Sequence, residues 1–269
     1  PISTPTAIQS LPTATPSDPA DLHIPLVIDW PENYSGLLPI TVGIPFPPGS
    51  SIPETLTVAD TEGPIPCQAS IPITPQVDNH AYVWVYFDFI AQPDTAYHIE
   101  SGEPPAPSTP VTVTERLGGG YQVNAGEAVF EIVPDSRILG AIVNPSGTTL
   151  VSTASWLNGE TNLADTPATI QLEQAGPLHA ALTLRAEEAV HGLDLIARLH
   201  FYAGQPFARV RLTLVNHNEA VFGADAPDAS NGECGVQPNQ PIIQGLDCPN
   251  TIIFDDITWA LQLNNPPTD

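Results

Sequence analysis

The chain contains no lysine and no methionine, and its six basic residues are all arginines. Against them stand 30 aspartates and glutamates, so the formal net charge is −24 over 269 residues. Nucleic acids and anionic lipid surfaces are held by Lys and Arg against phosphate, and a chain this acidic is excluded from such partners. Long apolar runs are missing as well. No stretch approaches the ~20 apolar residues of a membrane-spanning helix, so no membrane insertion is expected. No long segment keeps a 3.6-residue repeat between helix caps. The seven histidines include no HxH or HExxH pair, which leaves zinc without a signature, and no GxSxG marks a nucleophile. Without methionine there is no initiator, and Pro1 is expected to be a processed end of an extracellular or cell-surface protein.

Cysteine is scarce: three residues. Cys234 and Cys248 bracket the polar stretch GVQPNQPIIQGLD and are expected to close it as a disulfide, as an oxidising compartment permits. Cys67 is left over and reads as a small buried hydrophobe in a strand. A glycosylation sequon at Asn33-Tyr34-Ser35 agrees with secretion.

What the chain has in abundance is turn chemistry. Thirty-two prolines and nineteen glycines suit short strands joined by tight turns, and 42% hydrophobic residues are enough for a packed core. Residues 1–21, rich in Pro, Thr, Ser and Ala, read as an extended arm or linker. Ile2, Ile8 and Leu11 of that arm could fill pockets on a neighbouring subunit by strand addition. From residue 22 onward, runs such as LHIPLVIDW, LPITVGIPF, TLTVAD and AYVWVYFDFI end in Pro, Gly, Asp or Asn. In the last of these Tyr82, Trp84 and Tyr86 alternate with Val83, Val85 and Phe87, which predicts a central strand covered on both faces. The Pro-rich GEPPAPSTP marks a boundary. The expected architecture is therefore all-β: the arm (1–21), a small barrel (22–103) and a β-sandwich (110–269) that a neighbouring subunit could complete.

The stretches ITVGIPFPPGS, LTVADTEGPIPCQ and VWVYFDF resemble the N-terminal RIFT-barrel domain of YetA-like proteins and exo-acting rhamnogalacturonan lyases. GPLHAALTL and RLHFYAGQPFARVRLTLVN are similar to stretches of their central sandwich. The resemblance covers about residues 24–260. It implies a RIFT-like barrel followed by a sandwich, and a polysaccharide-lyase chemistry if the chain is an enzyme. Two departures weigh against activity. The family's Asp-Gly-Ser-Val-Arg-Trp is Asn79-His80-Ala81-Tyr82-Val83-Trp84 here, without the Arg, and nothing corresponds to the family's helical toroid domain.

Candidate chemistry is thin. A lyase needs a base and a cation to stabilise the developing charge. Arg209 and Arg211, two apart in one strand, share a face that could meet a carboxylate. Trp156, read as an exposed loop residue in STASWLNGETNLAD, is a candidate sugar contact. Asp225, Asp228 and Glu233 in an acidic loop offer hard oxygen ligands, which makes calcium the one candidate cofactor. These features favour a secreted, non-enzymatic structural protein that self-assembles by strand exchange into a filament, sheath or surface layer, with other copies of itself as partners. The alternative is a carbohydrate-active module, lyase-like or merely sugar-binding, with a polysaccharide as partner. Because protomers of this charge repel, arm-led assembly is expected to tighten as salt rises.

Overall fold

The computed structural model describes residues 22–30, 32, 35–47, 49–71, 82–163, 165–190, 192–216 and 256–264. Outside them lie the arm with Ile2, Ile8 and Leu11, the sequon Asn33, the acidic loop with Asp225, Asp228 and Glu233, and both Cys234 and Cys248. The described residues form an all-β protein: eighteen strands and no helix. They divide into two compact units. The first comprises the described part of Pro1–Thr112 together with Ala175–Ala180 and Tyr202–Gln205. The second comprises that of Val113–Gln174, Ala181–Phe201 and Pro206–Asp269. The Pro-rich boundary is thus not the only crossing, because the first unit also contains two short segments from later in the chain.

In the first unit the strands are β1 (His23–Leu26), β2 (Leu38–Phe46), β3 (Leu56–Ala59), β4 (Pro64–Ile65), β5 (Cys67–Ser70), β6 (Val83–Ala91) and β7 (Tyr97–Ser101). They pair antiparallel as a four-stranded sheet, β1-β7-β3-β4, and a three-stranded sheet, β2-β6-β5. Alternation along β6 explains the packing: Val85, Phe87 and Phe89 point inward and are at most 1% exposed, and Val42, Val58 and Ile99 are buried too. The Phe89 ring meets Tyr97 across the two sheets at 5.3 Å. The Gly43-Ile44-Pro45-Phe46 stretch is the end of β2, and the turn begins only at Pro47, whose carbonyl accepts from Ser50 N–H. Proline is tolerated within β2 because that strand is at the edge of its sheet among the described residues. The Asp-x-x-Gly turn forms as its composition predicts: Asp60 Oδ1 accepts from the Glu62 and Gly63 amides at 2.7 and 3.2 Å.

The second unit holds β8 (Thr112–Glu115), β9 (Tyr121–Asn124), β10 (Val129–Ile132), β11 (Leu139–Val143), β12 (Thr149–Asn158) and β13 (Thr161–Asn162). These make one sheet in the order β13-β12-β11-β10-β9-β8, to which β18 (Thr258–Leu263) adds by pairing with β12. A second sheet runs β14 (Thr169–Ala175), β15 (His179–Val190), β16 (Leu193–Tyr202), β17 (Ala208–Val215). β15, the longest strand, and β16 carry the core of this sheet, with Leu182, Leu184, Leu195 and Leu199 fully buried. Phe130 of one sheet packs on Phe201 of the other at 5.0 Å, which makes the pair a sandwich. Gly204, at φ 68°, closes the β16–β17 hairpin where the sequence places a turn.

One glycine of this unit sets a limit on the β8–β9 connection. A Cβ on Gly120 would stand 2.4 Å from the Ile132 carbonyl oxygen, a backbone atom that no rotamer change can move. Gly120→Ala is expected to lower stability by about 1–3 kcal/mol, the usual range for overpacking, read as a shift in the urea midpoint without a change in slope.

Candidate functional site

β6 carries two different surfaces along one face. Trp84, Tyr86 and Asp88 of β6, continued by Tyr82 just before it, alternate with the core residues, but only Asp88 is covered. Tyr82, Trp84 and Tyr86 are 54%, 42% and 37% exposed, so the strand is not covered on both faces as its apolar alternation predicts. The pairing register explains the openness. Opposite Tyr86 lie Gly43 of β2 and Ser70 of β5, and opposite Trp84 lies Pro45, so the neighbours are small or flat. An added Cβ on Gly43 would touch Tyr86 at 3.0 Å and Trp84 at 3.2 Å, which shows that both rings lean over that glycine. The two rings are 27° from parallel, with centroids 6.3 Å apart. The result is a low aromatic platform on a sheet face whose nearest cross-strand partners carry no charge.

At Asp88 the same face becomes polar and closed. Thr41 Oγ1, directly across on β2, donates to Asp88 Oδ1 at 2.6 Å. The other carboxylate oxygen is 2.9 Å from His179 Nδ1. An ionised carboxylate only accepts, so Nδ1 carries the proton. The imidazole stacks on Tyr202 at 4.7 Å and 8°. Gln68, opposite Asp88 on β5, accepts from the Leu178 and His179 amides at 3.4 and 3.2 Å. These bonds hold Ala175–Ala180 and Tyr202–Gln205 within the first unit. His179 is only 4% exposed, so the pair has the hydrogen bonds of an acid–base couple without access for a substrate. Removing one partner of a buried pair leaves the other uncompensated. Asp88→Ala is expected to cost about 3–5 kcal/mol and Thr41→Val about 1 kcal/mol, both measured by urea denaturation.

Cys67 fits the reading as a buried core thiol. Its Sγ accepts from Val58 N–H at 3.3 Å, and burial pushes the thiol up despite that bond and the weaker contact with Thr57. Native protein treated with a maleimide near neutral pH is expected to leave Cys67 unmodified, with labelling appearing only in denaturant, as peptide mapping would read.

Trp156 is not an exposed loop residue. It sits in β12 at 4% exposure, its Nε1 donates to the Ser136 carbonyl at 2.6 Å, and its ring stacks on Trp259 of β18. The flanking polar residues misled the sequence reading because strand alternation places them on the other face. Its ring face is therefore taken up by the core and not presented to a sugar.

Arg209 and Arg211 are exposed on β17, on one face as their spacing requires. The register adds what the spacing could not. Arg211 lies directly opposite Arg198, and Arg209 opposite His200. Arg185 of β15 points to the same side, since it reaches Asp194 of β16 at 3.8 Å. Four of the chain's six arginines thus share the outer face of one four-stranded sheet. Arg198 pairs with Glu173 at 2.5 Å. Burial alone would push the Glu173 carboxyl up. Hydrogen bonds from Thr183 and Arg198, with the Arg198 and His200 charges, outweigh it and hold the group below the ordinary range. The other two arginines lie in connections: Arg116, just after β8, pairs with Glu131, and Arg137, between β10 and β11, with Asp135 and Asp165. Among the described residues no group of three or more His, Cys, Asp or Glu is placed to hold a metal ion.

The sequence matches no protein-family model and no curated protein. Among solved structures, an alpha-mannosidase from Enterococcus faecalis V583 is similar at 10% identity and a TM-score of 0.45. The match covers 67% of this chain but spans only 28% of that enzyme's length.

Proposed function

We propose that this protein is a non-catalytic carbohydrate-binding scaffold of the cell exterior, which holds an uncharged polysaccharide along Tyr82, Trp84 and Tyr86. The observation that carries the proposal is the row of exposed rings at Trp84 and Tyr86 of β6 and at Tyr82 just before it, with the Trp84 and Tyr86 rings 27° from parallel. Aromatic faces pack against the C–H face of a pyranose, while the tyrosine hydroxyls keep a polar edge for the sugar's own hydroxyls. The exposed groups are ring faces standing on a strand that β2 pairs from Val83 to Ala91, so the feature on offer is aromatic surface. Its cross-strand neighbours Gly43, Pro45 and Ser70 supply no cation for a uronate, and the field of a −24 chain repels polyanions. The ligand class is accordingly a neutral glycan chain, and the protein binds it rather than cleaving it.

Affinity electrophoresis through gels containing cellulose derivatives, xylan, galactomannan or polygalacturonate tests this. Retardation is expected in at least one neutral polymer and none in polygalacturonate. Trp84→Ala and Tyr86→Ala should each weaken binding about tenfold or more, equivalent to ~1.4 kcal/mol, with circular dichroism unchanged. Retention of full binding in the Trp84→Ala/Tyr86→Ala double variant would refute the platform.

A further inference from the structure

Alternation along β9 and β10 sends Val123, Phe130 and Ile132 into the core and leaves Gln122, Asn124, Val129 and Glu131 on the outer face of their sheet. The register sets these outward residues in rows. Val129 lies between Asn124 of β9 and Val143 of β11, and Glu131 lies beside Gln122. With the β9–β10 and β11–β12 turns they line an open cavity of about 460 Å³, within the roughly 300–1,000 Å³ of small-ligand sites. Each turn fixes an amide at its wall. Asn124 Oδ1 accepts from Gly126 N–H at 2.9 Å, and Asn144 Oδ1 accepts from Thr148 N–H and the Ser146 hydroxyl, both at 2.7 Å. With the oxygens engaged, each Nδ2 faces away from its own turn with two N–H donors to offer. Glu131 adds a carboxylate whose Oε1 is bonded to Arg116 at 2.7 Å, so its charge is offset and Oε2 can still accept. Val129 and Val143 supply an apolar floor.

We propose that this cavity binds a neutral saccharide of one or two rings through its neighbouring hydroxyls. Fixed donors and an acceptor around an apolar floor match a sugar, whose hydroxyls both give and take hydrogen bonds and whose ring carries a C–H face. Other ligand classes fit less well. An anion meets Glu131 and the field of a −24 chain, and a cation meets a Glu131 already bonded to Arg116. A planar aromatic ligand finds no aromatic side chain in the lining to stack on. The cavity belongs to the second unit and the aromatic platform to the first, so each site stands or falls without the other. Their shapes differ as well: the platform is an open strand face, whereas two turns bound the cavity and limit it to a short sugar.

Magnetic resonance titration of the isotope-labelled full chain with glucose, mannose, galactose, xylose, cellobiose and xylobiose tests this. At least one sugar is expected to move the side-chain amide signals of Gln122, Asn124 and Asn144 to saturation. The Asn124→Asp/Asn144→Asp double variant keeps the oxygens that the turns bond but replaces the donors with acceptors beside Glu131. It should bind about tenfold more weakly or worse, read at Gln122 and at the Val129 and Val143 backbone amides. Val129→Arg lays a long side chain across the floor, on the same face as Glu131, and should abolish binding. Melting curves check that both variants fold. Trp84→Ala/Tyr86→Ala shares no partner with the cavity and should leave its affinity within about twofold. The proposal is overturned if none of these sugars moves the three amides, if either cavity variant binds as the native chain does, or if the response disappears with the platform rings. Tighter binding of galacturonate than of galactose would overturn it too, because the site would then be selecting charge.

Discussion

The hydrogen bond between Asp88 and His179 is the constraint around which the first unit is organised. A carboxylate on a sheet face must either stay in water or find donors, and the Thr41 hydroxyl and the His179 imidazole serve here. To bring the imidazole there, the chain must return after residue 112 and lay Ala175–Ala180 over the β2-β6-β5 sheet. Gln68 then clamps the backbone of that segment from the other side, and Tyr202 roofs the ring. Gly176 belongs to the same arrangement: a Cβ there would stand within 2.5 Å of the Gln68 amide group. The cover ends where this hydrogen-bonded row ends. One residue pair further along β6 the face is open, and that is where the aromatic platform begins. The burial of one polar residue and the exposure of three aromatic ones are thus two results of a single boundary on one strand.

Exposed aromatics are normally a hazard, because a contiguous apolar patch invites association. Two features reduce it here. The rings are spread over Gly43, which lowers their profile and buries part of each. The strand beneath them is paired with β2 along its whole length and with β5 from Tyr86 to Phe89, which leaves less backbone open beside the rings. The high negative charge adds a general barrier to sticking, and it is the lack of lysine that makes it effective.

Much of the architecture was legible in the sequence, since strand alternation and turn residues are local signals. AYVWVYFDFI was recognisable as a strand at the centre of a sheet, and Asp60-x-x-Gly63 as a turn. What was not legible was the environment of each face. Tyr82, Trp84 and Tyr86 look like core residues because alternation reports two faces but cannot say which is covered. Trp156 failed the other way: polar neighbours suggested a loop, whereas it lies in β12, buried and beside Trp259 of the paired strand β18. The Asp88–His179 pair, 91 residues apart, leaves no trace in spacing. Arg209 and Arg211 were placed on a shared face correctly, but their companions Arg185 and Arg198 depend on sheet register, which a single sequence does not encode.

The aromatic platform and the arginine-bearing sheet face answer to different physics. Stacking on a neutral ring depends on contact area and geometry and is insensitive to the field around it, so it can operate on a strongly acidic molecule. Attraction between unlike charges depends on that field, and among so many acids Arg116, Arg137, Arg185 and Arg198 each meet a carboxylate of the chain itself. On β16 and β17 Arg198 and Arg211 stand directly opposite each other, and the Glu173 carboxylate bonded to Arg198 reduces the repulsion between them.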